Sequence, residues 1–234
     1  MSQAPLLARL KVSLAASAGD VVFGMEDGTV SIFGLVFGVA ATTNDQSAVL
    51  IAGASGAVAA AVSMMAGTYL DAETSQDQLK LFGSRVTTEL EQDSAGVVGR
   101  VTQRLQAAGL AHEQTAIASN FLSSQPAVLK ALATALADPA TGSMDSALVR
   151  SLWMLIADFL AAAIPILPFA FLRVPEGRIV SATVTTLLLV GLGIGRARIG
   201  GRNMLRTVTE TVSIGVAAAL AGVGIGVAIA HMFG

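Results

Sequence analysis

Cysteine is absent from this 234-residue chain, and charged residues make up only 13% of it. The absence of cysteine excludes disulfides, thiolate metal sites and cysteine nucleophiles. The two histidines, His112 and His231, are far apart in the sequence and cannot supply the ligands of a zinc hydrolase. Neither a Gly-x-Ser-x-Gly sequence nor a phosphate-binding loop is present. We therefore expect a protein that is not an enzyme and has no cofactor.

Apolar residues make up 53% of the chain, and the mean hydropathy is +0.70. Long apolar stretches are each close to the ~20 residues that an α-helix needs to cross ~30 Å of hydrocarbon. No strand-like alternation is evident, and the first 19 residues lack the apolar core of a secretory signal peptide. The sequence therefore predicts an all-α, multi-pass protein of the lipid bilayer with transmembrane helices at about 20–43, 47–70, 151–172, 179–195 and 208–232.

The sizeable polar region, residues 71–148, carries the start and stop signals of short helices. Ser94 precedes an apolar-periodic stretch that ends at Gly109, and Ser124-Gln125-Pro126 opens another that Asp138-Pro139 closes. Residues 71–93 are expected to continue the second membrane helix. The sequence thus predicts an N-terminal segment (1–19), two transmembrane helices (20–70), an inserted cytoplasmic helical domain (71–148) and three further transmembrane helices (149–234).

Basic residues are distributed unevenly among the connections between the apolar stretches. Of the 14 Lys and Arg residues, 12 lie before the first stretch, between the second and third, or between the fourth and fifth. Arg173 and Arg178 fall in a connection on the other side. The positive-inside rule then predicts a cytoplasmic N-terminus and an external C-terminus, and the simple topology favours the plasma (inner) membrane. Because the basic residues are dispersed, we expect no nucleic-acid partner.

Two adjacent carboxylates, Glu26 and Asp27, lie inside the first apolar stretch. An acid inside a membrane helix costs about 2.5–3.5 kcal/mol on insertion scales, and such residues mark ion or proton pathways. Glu26 and Asp27 point about 100° apart around a helix, so both can face one ion only if the helix unwinds. The flanking Gly24 and Gly28 permit such unwinding. Both acids are candidates for a metal site.

Met64 in the second stretch is expected at the depth of Asp27, both roughly 10 Å below the cytoplasmic surface at 1.5 Å per residue. A hard carboxylate and a soft thioether together suit a borderline divalent ion such as Fe²⁺ better than Mg²⁺ or Ca²⁺. Met64 and its neighbour Met65 are therefore candidate ligands. The alternative is that they are gap-filling core residues.

Asp158 lies inside the third apolar stretch, at a depth similar to that of Asp27. It is a candidate metal ligand or proton acceptor, because acids inside membrane helices are commonly functional. Two other roles remain open at this point. Asp158 can pair with an arginine at the cytoplasmic edge, or form hydrogen bonds within the bundle.

Small residues recur four positions apart in several apolar stretches. Gly34 and Gly38 form such a pair, and the later stretches contain Gly191 with Gly195 and Gly222 with Gly226. This spacing lets helix backbones approach closely. We expect tight helix packing at each of these pairs.

Several segments resemble the vacuolar iron transporter family, over nearly the whole chain. The resemblance implies a homodimer of five-helix subunits that exchanges cytosolic Fe²⁺, and often Mn²⁺, for protons along a path lined by the first two helices of each subunit. Asp27 and Met64 match family positions that contact the ion. The similar segments are 24–28 (GMEDG) and 34–40 (GLVFGVA) in the first helix, 61–70 (AVSMMAGTYL) in the second, 164–169 (IPILPF) in the third and 193–198 (GIGRAR) in the fourth.

The chain departs from the pattern of this family at two places. Gly56 stands where the family has a glutamate ligand, two helical turns before Met64. Few acids occupy the places of the family's cytoplasmic metal-binding helices, where Glu89, Glu91 and Asp93 remain but Val97 and Arg100 replace others.

The leading hypothesis is a proton-coupled antiporter that exports Fe²⁺ or Mn²⁺ from the cytoplasm through a homodimer interface. One alternative is a membrane scaffold or regulator that transports nothing and whose cytoplasmic helices bind a partner. Another is a transporter of a different cation.

Overall fold

The computed structural model describes residues 6–135 and 144–233, and within these ranges the chain forms nine α-helices and no strand. The predicted all-α fold is therefore confirmed. The helices are α1 (Leu6–Ala16), α2 (Ala18–Thr42), α3 (Gln46–Gln92), α4 (Ser94–Ala107), α5 (His112–Ser124), α6 (Pro126–Ala135), α7 (Met144–Phe171), α8 (Val174–Ile199) and α9 (Met204–Phe233).

Five of the described helices are long and apolar enough to cross a membrane, namely α2, α3, α7, α8 and α9. They correspond one to one to the five predicted stretches. The fourth is longer than its apolar stretch at both ends, since α8 begins at Val174 and ends at Ile199 whereas the stretch covers only 179–195. Polar residues at both ends of α8 are helical, and the apolar stretch marks only its middle.

Helix α3 is continuous over 47 residues, so the prediction that residues 71–93 extend the second membrane helix is confirmed. At 1.5 Å per residue it is about 70 Å long. It ends at Gln92. The next residue, Asp93, accepts a hydrogen bond from the Gly96 backbone N–H at 2.9 Å through its side chain and thereby caps α4. Helix α4 ends before Gly109, which has a positive φ of 106°. The predicted stop at Asp138-Pro139 lies outside the described residues.

The chain divides into two compact units, residues 1–69 with 145–234, and residues 70–144. In the second unit, apolar side chains of the short helices form a core of their own. Its buried members are Val97, Val98 and Val101 of α4, Leu122 of α5 and Leu129 of α6.

The first unit is a bundle of the five candidate membrane helices. Residues from α2, α3, α7 and α8 share one buried cluster that includes Val36, Val49, Ala162 and Val174. The ends of the helices are also tied together, because the Gln46 side-chain amide donates to the Phe169 carbonyl oxygen at 2.6 Å.

Contacts between glycines set the closest helix approaches in this bundle. Gly34 and Gly38 of α2 lie against Ala218 and Gly222 of α9, and an added Cβ at Gly222 would overlap the Gly34 carbonyl oxygen. The close packing expected at these pairs is therefore confirmed.

The same expectation is wrong for the pair on α8. An added Cβ at Gly191 or Gly195 would meet no atom of the described residues within 4 Å. Gly193, between them, is the glycine that packs on Val208 of α9. Positions two residues apart point to roughly opposite sides of a helix, so Gly191 and Gly195 face away from α9.

Candidate functional site

Asp158 of α7 is completely buried. Neither of its carboxylate oxygens has a hydrogen-bond partner among the residues that the structure describes. Neither arginine pairing nor hydrogen bonding within the bundle is therefore seen for Asp158 in this part of the chain. Buried polar groups are nearly always hydrogen-bonded in proteins, so a carboxyl group in this state is a candidate for binding a ligand.

Gly28 of α2 makes room for Asp158. A Cβ at position 28 would overlap the Asp158 backbone oxygen and lie 2.7 Å from Oδ1. Only glycine allows this approach, and it brings the Asp158 carboxyl group beside the residue that follows Asp27. Asp27 directly precedes Gly28, so the two acids lie on α2 and α7 where these helices are in backbone contact. The fold therefore brings together two of the five predicted site residues.

Met154 of α7 joins this group, although the sequence analysis did not select it. It is 3% exposed, and its side chain contacts Gly24 of α2 and the Thr68 hydroxyl of α3. Met154 and Asp158 are four residues apart and share one face of α7. This face is therefore turned toward both α2 and α3.

The position of Met64 along the axis of the bundle, here called its level, follows from the contact between α3 and α2. Gly56 of α3 lies against Leu35 of the antiparallel α2. Eight residues onward on α3 is Met64, and eight residues back on α2 is Asp27. The two residues therefore lie at about the same level, as the sequence predicts. Ion binding by Met64 and the half-buried Met65 stays a prediction.

Glu26 has a different environment from Asp27. One of its oxygens pairs with the Arg196 guanidinium of α8 at 3.3 Å, and the other accepts a hydrogen bond from the Thr211 hydroxyl of α9 at 3.0 Å. The side chain is 13% exposed. Glu26 thus links three helices and has both oxygens engaged.

Two cavities lie beside this ion pair. One, of about 230 Å³, is lined by Glu26, Asp27 and Arg196 with neighbouring residues of α2 and α9. The other, of about 220 Å³, shares Phe23, Glu26 and Arg196 with the first and extends to Gly200 and Arg202. The ion pair and Phe23 therefore lie between the two cavities.

The comparison with known families decides what kind of protein carries this arrangement. A family model described as the VIT family matches residues 18–227. The chain belongs to the VIT family. A vacuolar iron transporter from Centaurea cyanus is 26% identical to this VIT-family chain over 180 residues, which is 75% of the chain and 74% of the relative. The resemblance inferred from the sequence motifs is confirmed, and the matched range covers nearly all of the chain.

Within the described residues of this VIT-family protein, no group of three or more His, Cys, Asp or Glu side chains is placed to hold a metal ion. In the second unit, Glu89 is engaged in an ion pair with Arg100.

Sequence reasoning missed the partners of the two acids in this VIT-family protein. Arg196 was considered only as part of a sequence motif and as one of the basic residues that indicate topology. A mostly buried acid such as Glu26 nevertheless needs a positive partner at its own depth. Met154 was missed because a single methionine in an apolar stretch is ordinary. The signal available in the sequence was the four-residue spacing from Met154 to Asp158.

Proposed function

We propose that this protein transports divalent metal ions, Fe²⁺ or Mn²⁺, out of the cytoplasm in exchange for protons. Membership of the VIT family and a relative named as a vacuolar iron transporter support a metal ion substrate. The observation that carries the proposal is the presence of two acids, the half-buried Asp27 and the completely buried Asp158, inside a bundle of candidate membrane helices. Acids at such positions mark ion and proton pathways in membrane proteins.

Asp27 and Met64 are the proposed contacts of the transported ion. A carboxylate oxygen and a thioether sulfur suit a borderline divalent ion, and the thioether is the weaker ligand. Weak binding favours release, because conduction requires that an ion leave as readily as it enters. Once the metal ion departs, the freed carboxylates accept protons, and this couples the two movements in opposite directions.

Glu26 has a supporting role in this proposal. Its oxygens are engaged by Arg196 and Thr211, so it holds α2 against α8 and α9 rather than binding the ion. The pair lies between the two cavities beside Asp27. Separation of Glu26 from Arg196 would join these cavities, so we propose that the pair gates access to Asp27.

The protein is proposed to act as a homodimer in the plasma membrane, with the path along the subunit interface. Its N-terminus and residues 71–148 lie in the cytoplasm, and its C-terminus lies outside. The uneven distribution of Lys and Arg among the connections supports this orientation.

The test is metal flux into proteoliposomes that contain the purified full-length protein and an internal pH dye. Wild type is expected to carry Fe²⁺ or Mn²⁺ inward while protons move outward. We expect Asp27→Asn to lower the rate at least about tenfold, as loss of a metal-site contact does elsewhere. Asp45→Asn is the matched control, since it makes the same chemical change at an exposed residue between α2 and α3.

A separate result would contradict the proton coupling, the role of Asp27 and the identity of the ion. Metal flux without proton movement would refute the coupling. Wild-type flux in Asp27→Asn would remove Asp27 from the path. Flux of a monovalent cation alone would mean that the protein transports a different kind of ion.

A scaffold or regulator that binds a partner through residues 71–148 is the second candidate function. The observations that favour it are Gly56, which offers no carboxylate, and the Arg100–Glu89 ion pair, which engages one of the few acids in the second unit. Absence of flux of any cation in folded, dimeric protein would support this function over transport.

A further inference from the structure

We infer that Asp158 is a direct ligand of the transported metal ion, in a site to which α2, α3 and α7 contribute. The inference rests on the proposed function and adds a ligand to it. The VIT family match identifies no ligand, so the assignment depends on the surroundings of Asp158 in this chain.

The first argument is the state of the carboxyl group. Asp158 has no exposed surface, and both of its oxygens lack a partner among the described residues. A buried carboxylate without hydrogen bonds or a counter-charge is strongly unfavourable. Arg196, which lies at the level of the neighbouring Glu26, is engaged by that residue in an ion pair. A bound cation would supply the compensation that the protein itself does not provide.

The second argument is the direction in which α7 presents the Asp158 side chain. Met154 lies one turn before Asp158 on the same face of α7, and it contacts both Gly24 of α2 and Thr68 of α3. Asp158 itself lies against Gly28, with no side chain between the two helices. The Asp158 side chain is therefore presented to the face of α2 that carries Gly24 and Gly28, directly beside the position of Asp27 in the chain.

The third argument is the level of Met64 relative to Asp158. Helices α3 and α7 are antiparallel and touch twice, at Thr68 with Met154 and at Gly53 with Ile166. Met64 lies one turn before Thr68 on α3, and Asp158 lies one turn after Met154 on α7. Both residues are therefore displaced from the first contact toward the second by the same distance. Asp158 is thus at the level of Met64, which is also the level of Asp27.

Together these residues form a coherent ligand set. Two carboxylates and a thioether at one level provide hard and soft donors to a single ion, a combination that suits a borderline divalent metal. Two carboxylates also neutralise a divalent charge. In the absence of the ion, the same acids repel each other, so metal binding relieves an unfavourable arrangement.

The test compares thermal unfolding of detergent-purified full-length protein with and without Mn²⁺, and measures Mn²⁺ binding by electron paramagnetic resonance. Asp158→Asn keeps the size of the side chain and removes its charge. Without metal, this variant is expected to unfold at the wild-type temperature or above it, because an uncompensated buried acid is gone. With Mn²⁺, the stabilisation seen in wild type should be lost, with affinity lower by at least about tenfold.

Thr185→Val is the matched control. Thr185 of α8 is also completely buried, and its hydroxyl also lacks a partner among the described residues. This variant should keep the Mn²⁺-dependent rise in unfolding temperature. If Asp158→Asn does not fold, Asp158→Ser replaces it. This variant has a smaller uncharged side chain, and its unfolding is compared with and without Mn²⁺ in the same way.

A structural role for Asp158 predicts the opposite pattern, in which Asp158→Asn unfolds at a lower temperature without metal and retains the Mn²⁺-dependent rise. That result would overturn the inference. If Asp27→Asn loses the rise while Asp158→Asn keeps it, the proposed transport function stands and only the role of Asp158 falls. If wild-type protein binds neither Mn²⁺ nor Fe²⁺, the proposed function and the inference fall together.

Discussion

The backbone of Asp158 on α7 packs directly against Gly28 on α2, without a side chain between them. Because the contact is to a backbone carbonyl oxygen, a larger residue at position 28 cannot be accommodated by a change of side-chain rotamer. Helix α7 as a whole would have to shift. The separation of α2 and α7 therefore depends on the absence of a Cβ atom at position 28. The distance between Asp27 and Asp158 depends on it as well.

Gly28→Ala is expected to destabilise the bundle and to abolish metal transport, since the added methyl group displaces Asp158. Overpacking of this kind costs about 1–3 kcal/mol. The measurements are the unfolding temperature in detergent and metal flux in proteoliposomes.

Gly191→Ala is the control for this prediction. It makes the same change inside α8, where an added Cβ meets no described atom within 4 Å. Alanine is a better helix former than glycine by about 1 kcal/mol, so Gly191→Ala should be neutral or slightly stabilising. Equal unfolding temperatures for Gly28→Ala and wild type would show that α7 tolerates the displacement.

The Glu26–Arg196 pair is expected to stabilise the bundle through a coupled interaction. Arg196→Gln leaves a mostly buried carboxylate with only Thr211 as a partner and should lower the unfolding temperature. Adding Glu26→Gln should restore part of the loss, with a coupling energy of about 0.5–3 kcal/mol in a double-mutant cycle.

Arg206 and Glu210 provide a matched reference for this cycle. They form an ion pair at 2.9 Å near the start of α9, and their side chains are 79% and 36% exposed. Exposed pairs with this four-residue spacing contribute about 0.3–0.5 kcal/mol. A coupling energy for Glu26 and Arg196 no larger than that of the reference pair would contradict a role in holding the helices together.

The proposed orientation can be tested by cysteine labelling, because the chain contains no cysteine and each introduced residue is the sole target. Asn44→Cys lies in the exposed connection between α2 and α3, and Gln78→Cys is exposed within residues 71–148. In intact cells, a membrane-impermeant maleimide should label Asn44→Cys. It should label Gln78→Cys only after the membrane is opened. The reverse pattern would invert the proposed topology, and with it the direction of export.

Much of the architecture was predictable because it depends on local properties of the chain. The number of candidate membrane helices follows from apolar length, and the long α3 follows from the lack of a break between Gln46 and Gln92. The start of α4 follows from Asp93 and Ser94, whose short polar side chains favour helix caps. Asp27, Met64 and Asp158 were selected from residue type and depth, which position along a helix determines.

Only the tertiary structure decided which way these residues face and what they meet. The same glycine spacing forms a tight contact at Gly34 and Gly38 but faces open space at Gly191 and Gly195. Two adjacent acids also differ, since Glu26 has a guanidinium partner from α8 whereas Asp27 adjoins Gly28, against which Asp158 of α7 packs. Residue type and spacing define a stripe on each helix. The rotation of one helix against another depends on packing between residues more than one hundred positions apart, which no local pattern contains.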